Sequence, residues 1–306
     1  MRKNINNKEI SYSGLVSLVG APNAGKSTLI NTIIGEKIAI VSHKSQTTRT
    51  SIKGIFLKQN TQIVFIDTPG IFKSKRFLDE LMVNNAWKSL NDSDLVCLLY
   101  DVGIKNINSN TLEIIKNLKN INRPIVLILN KIDLINKKDL LPLISEFQSL
   151  FKFEKIFMLS ALKSKGIKDF LDWITMQMPV GPFLYPIEDV TDTDLRYLAS
   201  EILREKLLLN MHQEIPYNLI VSTETWKEKK DNNLEIRQNI FVSKTSHKAM
   251  ILGKSGQNIK RIGILARKEM EKAFNKRIHL YTRVKIQENC LTNINLLKSS
   301  GLNIDA

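Results

Sequence analysis

Residues 20–27 read Gly-Ala-Pro-Asn-Ala-Gly-Lys-Ser, and no other segment constrains the fold of this chain as much. They fit the pattern G-x-x-x-x-G-K-[ST], in which small residues let backbone N–H groups close around phosphate oxygens. A strand-like run at 15–19 precedes the segment and a helix-like stretch at 28–34 follows it. The segment therefore predicts a phosphate-binding loop at a strand–helix junction, where the helix N-terminus adds its dipole.

Apolar strand-like runs alternate with amphipathic stretches through the first 180 residues. This alternation is typical of an α/β domain with a mostly parallel sheet covered by helices, here a P-loop domain. The candidate strands are 15–19, 62–66, 95–100, 125–129 and 155–159. Ligands of open α/β sheets bind at the carboxyl ends of the strands, and every motif described below follows one of these runs.

Prolines and glycine interrupt the alternation near Pro179, Gly181, Pro182 and Pro186. We therefore predict a first domain at 1–180, a linker at 181–190 and a second domain with a C-terminal tail at 191–306. The second domain is predicted as a helix at 194–210, strands at 217–225 and 234–243, a short helix, a glycine turn, a long helix at 257–275 and a strand at 278–286. That order predicts an α+β unit.

The phosphate-binding loop supplies groups for a nucleotide and its metal ion. Lys26 can reach the β- and γ-phosphates, and the Ser27 hydroxyl can ligate Mg²⁺. Asp67 ends the second candidate strand, at the position where P-loop proteins hold Mg²⁺ with an aspartate. The backbone N–H of Gly70 can approach the γ-phosphate. The remaining residues predicted to bind phosphate are Gly20, Asn23, Ala24, Gly25 and Thr28.

Residues 130–133, Asn-Lys-Ile-Asp, decide which base is bound. A carboxylate at Asp133 accepts hydrogen bonds from guanine N1–H and from its N2 amine, and adenine offers neither. The Lys131 stem can cover the purine face, while Asn130 ties this loop to the phosphate-binding loop. The turn formed by Ser160, Ala161 and Leu162 can direct a backbone N–H at guanine O6. GTP and GDP are the predicted ligands; a nucleotide kinase or an RNA-modification ATPase is the alternative, and it requires adenine binding.

These four elements resemble the G1, G3, G4 and G5 motifs of the translation-factor-related GTPases. By that resemblance the G2 motif is Gln46-Thr47-Thr48-Arg49, in a polar stretch suited to a mobile loop. The resemblance implies that Thr48 completes the Mg²⁺ shell when the γ-phosphate is present, with Thr47 as the next candidate. Lys26 and Thr48 are thus the expected catalytic residues, and the expected Mg²⁺ ligands are Ser27, Thr48 and Asp67.

Ile71 stands where Ras-type enzymes place a glutamine that orients the attacking water. An isoleucine cannot orient water by hydrogen bonding. Similar GTPases with an apolar residue here include members that use a potassium ion held partly by a P-loop asparagine, and Asn23 occupies that position. The resemblance implies slow intrinsic hydrolysis, helped by K⁺ or by an RNA or ribosomal partner.

The charge distribution indicates a polyanionic partner for the second domain. The net charge is +15, and residues 237–285 hold 13 basic against 2 acidic side chains, whereas 181–236 hold 6 against 11. Within the basic segment, Gly253-Lys-Ser-Gly256 forms a G-x-x-G loop, which KH domains use to approach a nucleic-acid backbone. Ile251, Leu252, Ile259, Ile262 and Ile264 are predicted to line a groove for unpaired bases. The predicted RNA contacts are Lys248, Ile251, Gly253, Lys254, Ser255, Gly256, Ile259, Lys260, Arg261 and Arg267.

The element order around this loop resembles the type II KH fold, and the whole chain from about 12 to 286 resembles the Era family of bacterial GTPases. The stretches that carry this resemblance are 20–31, 46–49, 67–72, 181–192, 199–207, 214–217 and 247–267. It implies that the KH groove takes the 3′ end of 16S rRNA during maturation of the 30S subunit, and that the GTP state favours RNA binding. The sequence by itself indicates only single-stranded RNA.

The remaining expectations concern location and assembly. No stretch approaches the roughly 18 to 20 apolar residues that a membrane helix needs, so we expect a cytoplasmic protein. We also expect a monomer, with at most weak contact with the inner membrane surface. A peripheral membrane GTPase, whose basic surface meets anionic lipid, is the alternative to an RNA-binding GTPase. The sequence assigns no role to the tail at 287–306.

Overall fold

The computed structural model describes residues 10–44, 47–72, 77–211 and 218–301. The first domain is built on a six-stranded sheet in the order β2-β3-β1-β4-β5-β6. Five strands are parallel, and they confirm the five predicted runs: β1 (Tyr12–Val19), β3 (Thr61–Asp67), β4 (Leu95–Asp101), β5 (Ile125–Asn130) and β6 (Lys155–Leu159).

The edge strand β2 (Ile52–Lys58) was not predicted, and it runs antiparallel to β3. Its sequence, Ile-Lys-Gly-Ile-Phe-Leu-Lys, mixes charged residues and a glycine with apolar ones, so it lacks the continuous apolar character of the central strands. Gly54 packs closely against Ile30 of α1 and against Ile38. A Cβ at residue 54 would come within 2.7 Å of the Ile38 side chain and 2.9 Å of that of Ile30. The edge position explains the mixed composition, since only part of this strand is covered.

Helices cover both faces of the sheet, and the strands are accordingly apolar on both sides. Along β5, Val126 and Ile128 join the cluster under α1 and α5, while Leu127 and Leu129 join the cluster on the opposite face. The helices are α1 (Lys26–Ile34), α2 (Phe77–Asn91), α3 (Ser109–Leu118), α4 (Lys137–Leu150) and α5 (Ile167–Thr175). Because β1, β3, β4, β5 and β6 are parallel, the loops that follow them meet at one edge of the sheet.

The second domain is an α+β unit with the element order αββααβ of the type II KH fold. Strands β7 and β8 are antiparallel, and β8 pairs in parallel with β9. The predicted elements are present, and a further short helix follows them in the tail: α6 (Leu195–Asn210), β7 (Leu219–Glu228), β8 (Leu234–Val242), α7 (Thr245–Leu252), α8 (Gln257–Phe274), β9 (Ile278–Ile286) and α9 (Ile294–Ser299). Residues 214–217, one of the stretches that carry the family resemblance, lie outside the described residues.

The predicted linker is held against the first domain. Gln62 of β3 is fully buried, and its side-chain oxygen accepts hydrogen bonds from the backbone N–H groups of Leu184 (2.7 Å) and Tyr185 (3.0 Å). Farther along, Thr191 forms an antiparallel bridge with Gly54 of β2. The connection between the domains therefore follows the β2–β3 edge.

The tail adds an apolar contact between the two domains. Cys290, Leu296 and Leu297 are buried in one cluster with Leu78 and Met82 of α2. Helix α2 begins ten residues after Asp67, so the tail packs on the element that follows the predicted metal ligand. In the part of the chain that the structure describes, no helix is both long and apolar enough to cross a bilayer.

Candidate nucleotide site and nucleic-acid surface

The loop between β1 and α1 accepts only glycine at its tightest points. A Cβ on Gly20 would lie 2.4 Å from the Leu99 carbonyl oxygen, and Gly25 has φ 100° with its Cβ position 2.2 Å from the Asn130 amide. Gly70 approaches the loop from the β3 side, where a Cβ would come within 3.0 Å of the Pro22 backbone. The glycines of the two motifs thus bring three loops into contact at the edge of the sheet.

Lys26 is buried, and its ammonium donates to the backbone oxygens of Gly20 (3.0 Å) and Ala21 (3.2 Å). Burial lowers the pKa of Lys26 to about 8, with the charge of Asp67 acting in the opposite direction. A buried cation that has only carbonyl acceptors gains from an anionic partner. This arrangement suits the phosphates of a nucleotide.

Three predicted metal ligands meet at one point. The Ser27 hydroxyl donates to Asp67 Oδ2 at 2.6 Å and lies 2.9 Å from Thr48 Oγ1, which itself donates to Asp67 Oδ2 at 3.3 Å. Asp67 is fully buried, and its Oδ1 has no hydrogen-bond partner among the described residues. Burial raises the pKa of Asp67 to about 6. Two hydroxyls and a carboxylate with an unsatisfied oxygen form a hard-oxygen ligand set, which fits Mg²⁺.

The structure distinguishes the two threonines of the predicted G2 motif. Thr48 turns its hydroxyl towards Ser27 and Asp67, whereas the Thr47 hydroxyl bonds to Ser42 Oγ (3.0 Å) and to the Lys44 carbonyl (2.8 Å). The geometry therefore favours Thr48 over Thr47 at the metal position. Gln46 of the same motif lies outside the described residues.

At the base end, the buried Asn130 side chain joins three loops. It donates to the Ala24 carbonyl at 2.9 Å, and its oxygen accepts from the N–H groups of Lys131 (2.8 Å) and Ala161 (3.0 Å). This is the tie to the phosphate-binding loop that the sequence predicts. The next residue, Lys131, has φ 67° and pairs its ammonium with Asp101 Oδ2 at 2.5 Å.

Asp133 lies exposed at the mouth of the site, in a single 3-10 turn at Ile132–Leu134. A hydrogen bond from the Ser160 hydroxyl lowers the pKa of Asp133, so the carboxylate is charged and available as an acceptor. Ser160 itself is fully buried behind the site. The two loops that were predicted to read the base are therefore adjacent.

These groups surround a cavity of about 320 Å³, within the roughly 300 to 1,000 Å³ range typical of ligand pockets. Its walls include predicted residues from all five motifs: Asn23, Gly25, Lys26, Ser27, Thr28, Thr48, Gly70, Asn130, Lys131, Asp133, Ala161 and Leu162. Gly20, Ala24, Asp67 and Ser160 do not line the cavity but support groups that do.

Sequence reasoning missed the part of the wall contributed by Ile40, Val41, Ser42, His43 and Leu134. The first four lie on the loop after α1, and Asn31 folds that loop back: its side-chain oxygen accepts from the N–H groups of Ile38 (3.0 Å) and Ala39 (2.9 Å). The local sequence signal for the turn is Gly35, which ends α1 with φ 80°.

The structure places both the predicted potassium ligand, Asn23, and Ile71, which stands at the position of the Ras-type glutamine. Asn23 has φ 65°, and its side-chain amide donates to the His43 carbonyl at 2.8 Å. Ile71 is buried in the apolar cluster beneath the site, and its N–H donates to the Gly20 carbonyl at 3.2 Å. Its side chain therefore belongs to the core and leaves the water position without a hydrogen-bonding group from residue 71.

The G-x-x-G loop of the second domain is open. Gly253 and Gly256 have φ 70° and 76°, and a Cβ on Gly256 would meet nothing within 4 Å. Lys254 and Ser255 between them are exposed. A groove of about 250 Å³ lies between α8 and β9, and its lining residues are Ile259, Lys260, Gly263, Ile264, Arg267, Leu280 and Thr282.

One predicted RNA contact is wrong. Ile251 is fully buried in the core of the second domain, and so is Ile262, which had been expected in the groove. Ile251 is the one buried residue of the short helix α7, and Ile262 begins the buried stripe of α8. The sequence shows that these positions are apolar, but it does not show whether their side chains face the core or the groove. Ile259 lines the groove as predicted, and Lys260 and Arg267, two of the predicted RNA contacts, line it as well. Two other predicted contacts, the half-buried Lys248 and the exposed Arg261, lie outside its lining.

Comparison with known proteins agrees with both halves of this picture. Residues 15–131 match the family model of the 50S ribosome-binding GTPases, and residues 214–291 match the KH domain model. A protein of Sinorhizobium medicae named GTPase Era is 47% identical over 277 residues, which cover 90% of this chain and 89% of the relative. The GTPase Era of Agrobacterium fabrum is 44% identical with similar coverage, 90% and 87%.

Solved structures extend the likeness to both domains together. A substituted Era of Aquifex aeolicus bound to GDP and AlF4⁻ superposes with a TM-score of 0.91 at 34% identity, covering 96% of this chain and 100% of that one. An Era in complex with MgGDPNP and nucleotides 1506–1542 of 16S ribosomal RNA matches with the same TM-score, identity and coverage.

Proposed function

The chain belongs to the Era family of GTPases, and from this membership we propose that it is a GTP-driven switch that binds the 3′-end region of 16S rRNA during assembly of the 30S ribosomal subunit. The observation that carries the proposal is the meeting of Ser27, Thr48 and Asp67 beside Lys26, in a chain whose second domain presents an open G-x-x-G loop. A single chain holds both sites, so the proposal requires no second copy.

We assign the groups of the cavity as follows. Lys26 binds the β- and γ-phosphates, and the N–H of Gly70 faces the γ-phosphate. Ser27, Thr48 and Asp67 hold Mg²⁺, which when bound neutralises charge on the phosphate oxygens. Asp133 accepts from the guanine base, and the turn at 160–162 faces guanine O6. Because Thr48 belongs to a loop whereas Ser27 begins a helix, Thr48 is the ligand that can leave when the γ-phosphate is lost.

Potassium is the finer part of the proposal. The Asn23 amide and the His43 carbonyl meet at 2.8 Å, so a half-turn of the amide would direct two oxygens to one point beside the phosphate-binding loop. Potassium sites in proteins are built from such carbonyl oxygens. A cation there would add positive charge near the phosphates, where Ile71 offers no polar group.

The RNA-binding half of the proposal rests on the open loop and on the groove. The glycines at 253 and 256 let a phosphodiester backbone approach, Lys254 adds charge, and the groove between α8 and β9 accepts unpaired bases. Hydrolysis in the first domain would then change how the two domains meet and so release RNA. The proposed place of action is the cytoplasm, where ribosomal subunits are assembled.

The test uses the purified full-length chain. We expect hydrolysis of GTP but not ATP, a several-fold lower rate when Na⁺ replaces K⁺, and tighter binding of an oligonucleotide with the 3′-end sequence of 16S rRNA than of one with the same bases shuffled. Hydrolysis of ATP as fast as that of GTP would overturn the base assignment. A rate of GTP hydrolysis in Na⁺ equal to that in K⁺ would overturn the assignment of Asn23 as a potassium ligand. Equal binding of the two oligonucleotides would reject the RNA target, and flotation with anionic liposomes in preference to RNA would favour the membrane alternative.

A further inference from the structure

The described part of loop 35–51, which carries Thr48, is held by the second domain as well as by its own. The Val41 N–H donates to Glu205 Oε1 at 2.9 Å, and the Lys37 ammonium pairs with Glu205 and with Glu269, both at 2.7 Å. The Lys44 ammonium donates to the Met211 carbonyl at the end of α6. Helix α6 of the second domain therefore lies directly against the loop that closes the nucleotide cavity.

The contact closest to the predicted catalytic threonine is made by Arg204 of α6. Arg204 is 1% exposed, and its guanidinium donates to both carboxylate oxygens of Glu201, from Nε at 2.6 Å and from Nη2. The same Nη2 donates to the backbone carbonyl of Thr47. The bidentate pair fixes the orientation of the guanidinium, and the guanidinium fixes the residue before Thr48.

The residue after Thr48 is fixed in the same way. Arg49 is buried, and its Nη1 donates to the Leu219 carbonyl of β7 at 2.9 Å. Thr48 thus lies between two residues whose hydrogen bonds reach the second domain, while its own hydroxyl points at Ser27 and Asp67. The position of the hydroxyl at the metal site depends on both neighbours.

We infer that Arg204 is a positioning residue for GTP hydrolysis, which acts by holding Thr48 at the metal site through the Thr47 carbonyl. The RNA-binding domain then supplies part of the active conformation of the nucleotide site. The inference rests on the proposed role of Thr48. It assigns to α6 of the second domain the positioning of a threonine at the metal site of the first domain.

The contact around Arg204 contains buried charge that is only partly paired. Arg49 and Arg204 are both buried in this contact, and among the described residues the one ion pair that either arginine makes is that of Arg204 with Glu201. Arg204 Nη1 and the Tyr197 hydroxyl are buried with no hydrogen-bond partner among the residues that the structure describes. Buried charge and unpaired polar atoms oppose the contact. The contact is therefore expected to separate when the nucleotide no longer anchors Thr48.

The test compares Arg204→Ala with Arg196→Ala, which removes an exposed arginine from the same helix. We expect Arg204→Ala to lower single-turnover GTP hydrolysis about 10-fold, the size expected for one hydrogen bond to a charged group. Affinity for the non-hydrolysable analogue GDPNP should fall by a similar factor, whereas GDP affinity stays unchanged because Thr48 serves only the γ-phosphate state. Arg196→Ala should match the unsubstituted protein in all three measurements.

A second variant covers the case in which Arg204→Ala does not fold. Arg204→Lys keeps the charge but loses the planar group that contacts Glu201 and Thr47 together, and we expect an intermediate loss with the same split between GDPNP and GDP. Hydrolysis at the unsubstituted rate, or an equal loss of GDP and GDPNP affinity, would overturn the inference. If the unsubstituted chain itself fails to hydrolyse GTP, the proposed function fails instead, so the two failures are distinguishable.

Discussion

The tripeptide Gly-Lys-Ser occurs twice in this chain, once at 25–27 and once at 253–255, and its surroundings differ completely. Both glycines have positive φ, 100° at Gly25 and 70° at Gly253. Lys26 is 6% exposed and hydrogen-bonded to two carbonyls, whereas Lys254 is exposed in an open loop. The same three residues therefore lie at a closed cavity in one domain and on an open loop in the other.

The difference follows from what each site has to bind. A nucleotide whose phosphates react must be surrounded by fixed charges in a water-poor cavity, where each electrostatic contact is strong. An RNA strand extends past the protein, so its backbone needs a surface without obstruction and many weak, salt-dependent contacts. The burial of the lysine, and not the identity of the three residues, therefore determines how much binding energy each copy of the tripeptide contributes.

The largest predicted effect is that of Lys26→Ala. We expect GTP affinity to fall by roughly 100- to 4,000-fold, because loss of one partner of a buried charged pair costs about 3 to 5 kcal/mol. RNA affinity measured without nucleotide should not change. Titration of a fluorescent GTP analogue measures the first effect, and gel-shift titration measures the second.

The thermal stability of Lys26→Ala without nucleotide gives an independent check on the role of Lys26. Since burial holds the pKa of Lys26 well below its usual range, its removal should leave the thermal unfolding midpoint of the free protein unchanged or raise it. A loss of GTP affinity smaller than tenfold would mean that Lys26 is not the phosphate ligand, and the contrast between the two lysines would disappear.

The second effect is that of Gly253→Asp on RNA. A Cβ at residue 253 would come within 2.7 Å of Asn258 Cβ, and the new carboxylate would face the RNA backbone. We expect RNA affinity to fall roughly 10- to 100-fold, the cost of like charge and of strain together being about 1.4 to 2.8 kcal/mol, with GTP affinity unchanged.

Asn275→Asp is the matched control for this variant. It adds the same charge at the other end of α8, about 27 Å away along the helix, at a residue with φ 48° that aspartate tolerates. Equal weakening of RNA binding by the two variants would show that overall charge, rather than the G-x-x-G loop, governs binding.

The two copies of the tripeptide also show what a sequence can predict. The elements around residues 20–27, 67–70 and 130–133 were predicted correctly because each motif follows a continuous apolar run, and parallel strands bring such motifs to one edge. Local sequence contains that information. The groups that complete the site, such as Asn31, His43 and Arg204, lie outside the motifs themselves, and their roles depend on tertiary contacts.

The second domain shows the converse case. Its element order was predicted, but Ile251 was placed in the groove although it lies in the core. Helix α7 has 8 residues, so its apolar positions did not define which side faces the core. Strand β2 and the tail helix α9 were missed for a related reason, since each becomes ordered by packing on the rest of the molecule.

The smallest predicted effect is that of Lys254→Ala, and it separates the two copies most directly. An exposed lysine that meets one phosphate contributes through release of counterions, so we expect a loss of RNA affinity of only a few-fold near 0.1 M salt and a decrease of about 0.7 in the slope of log K against log salt. The difference from the unsubstituted protein should shrink as salt rises. Lys272→Ala, which removes an exposed lysine near the far end of α8, should leave affinity and slope unchanged.

Salt screens exposed charges much more than buried ones, so the loss of GTP affinity in Lys26→Ala should persist across the same salt range. A Lys254→Ala defect that also persists at high salt would mean that residue 254 closes over RNA in a shielded contact, like that of its counterpart at the nucleotide.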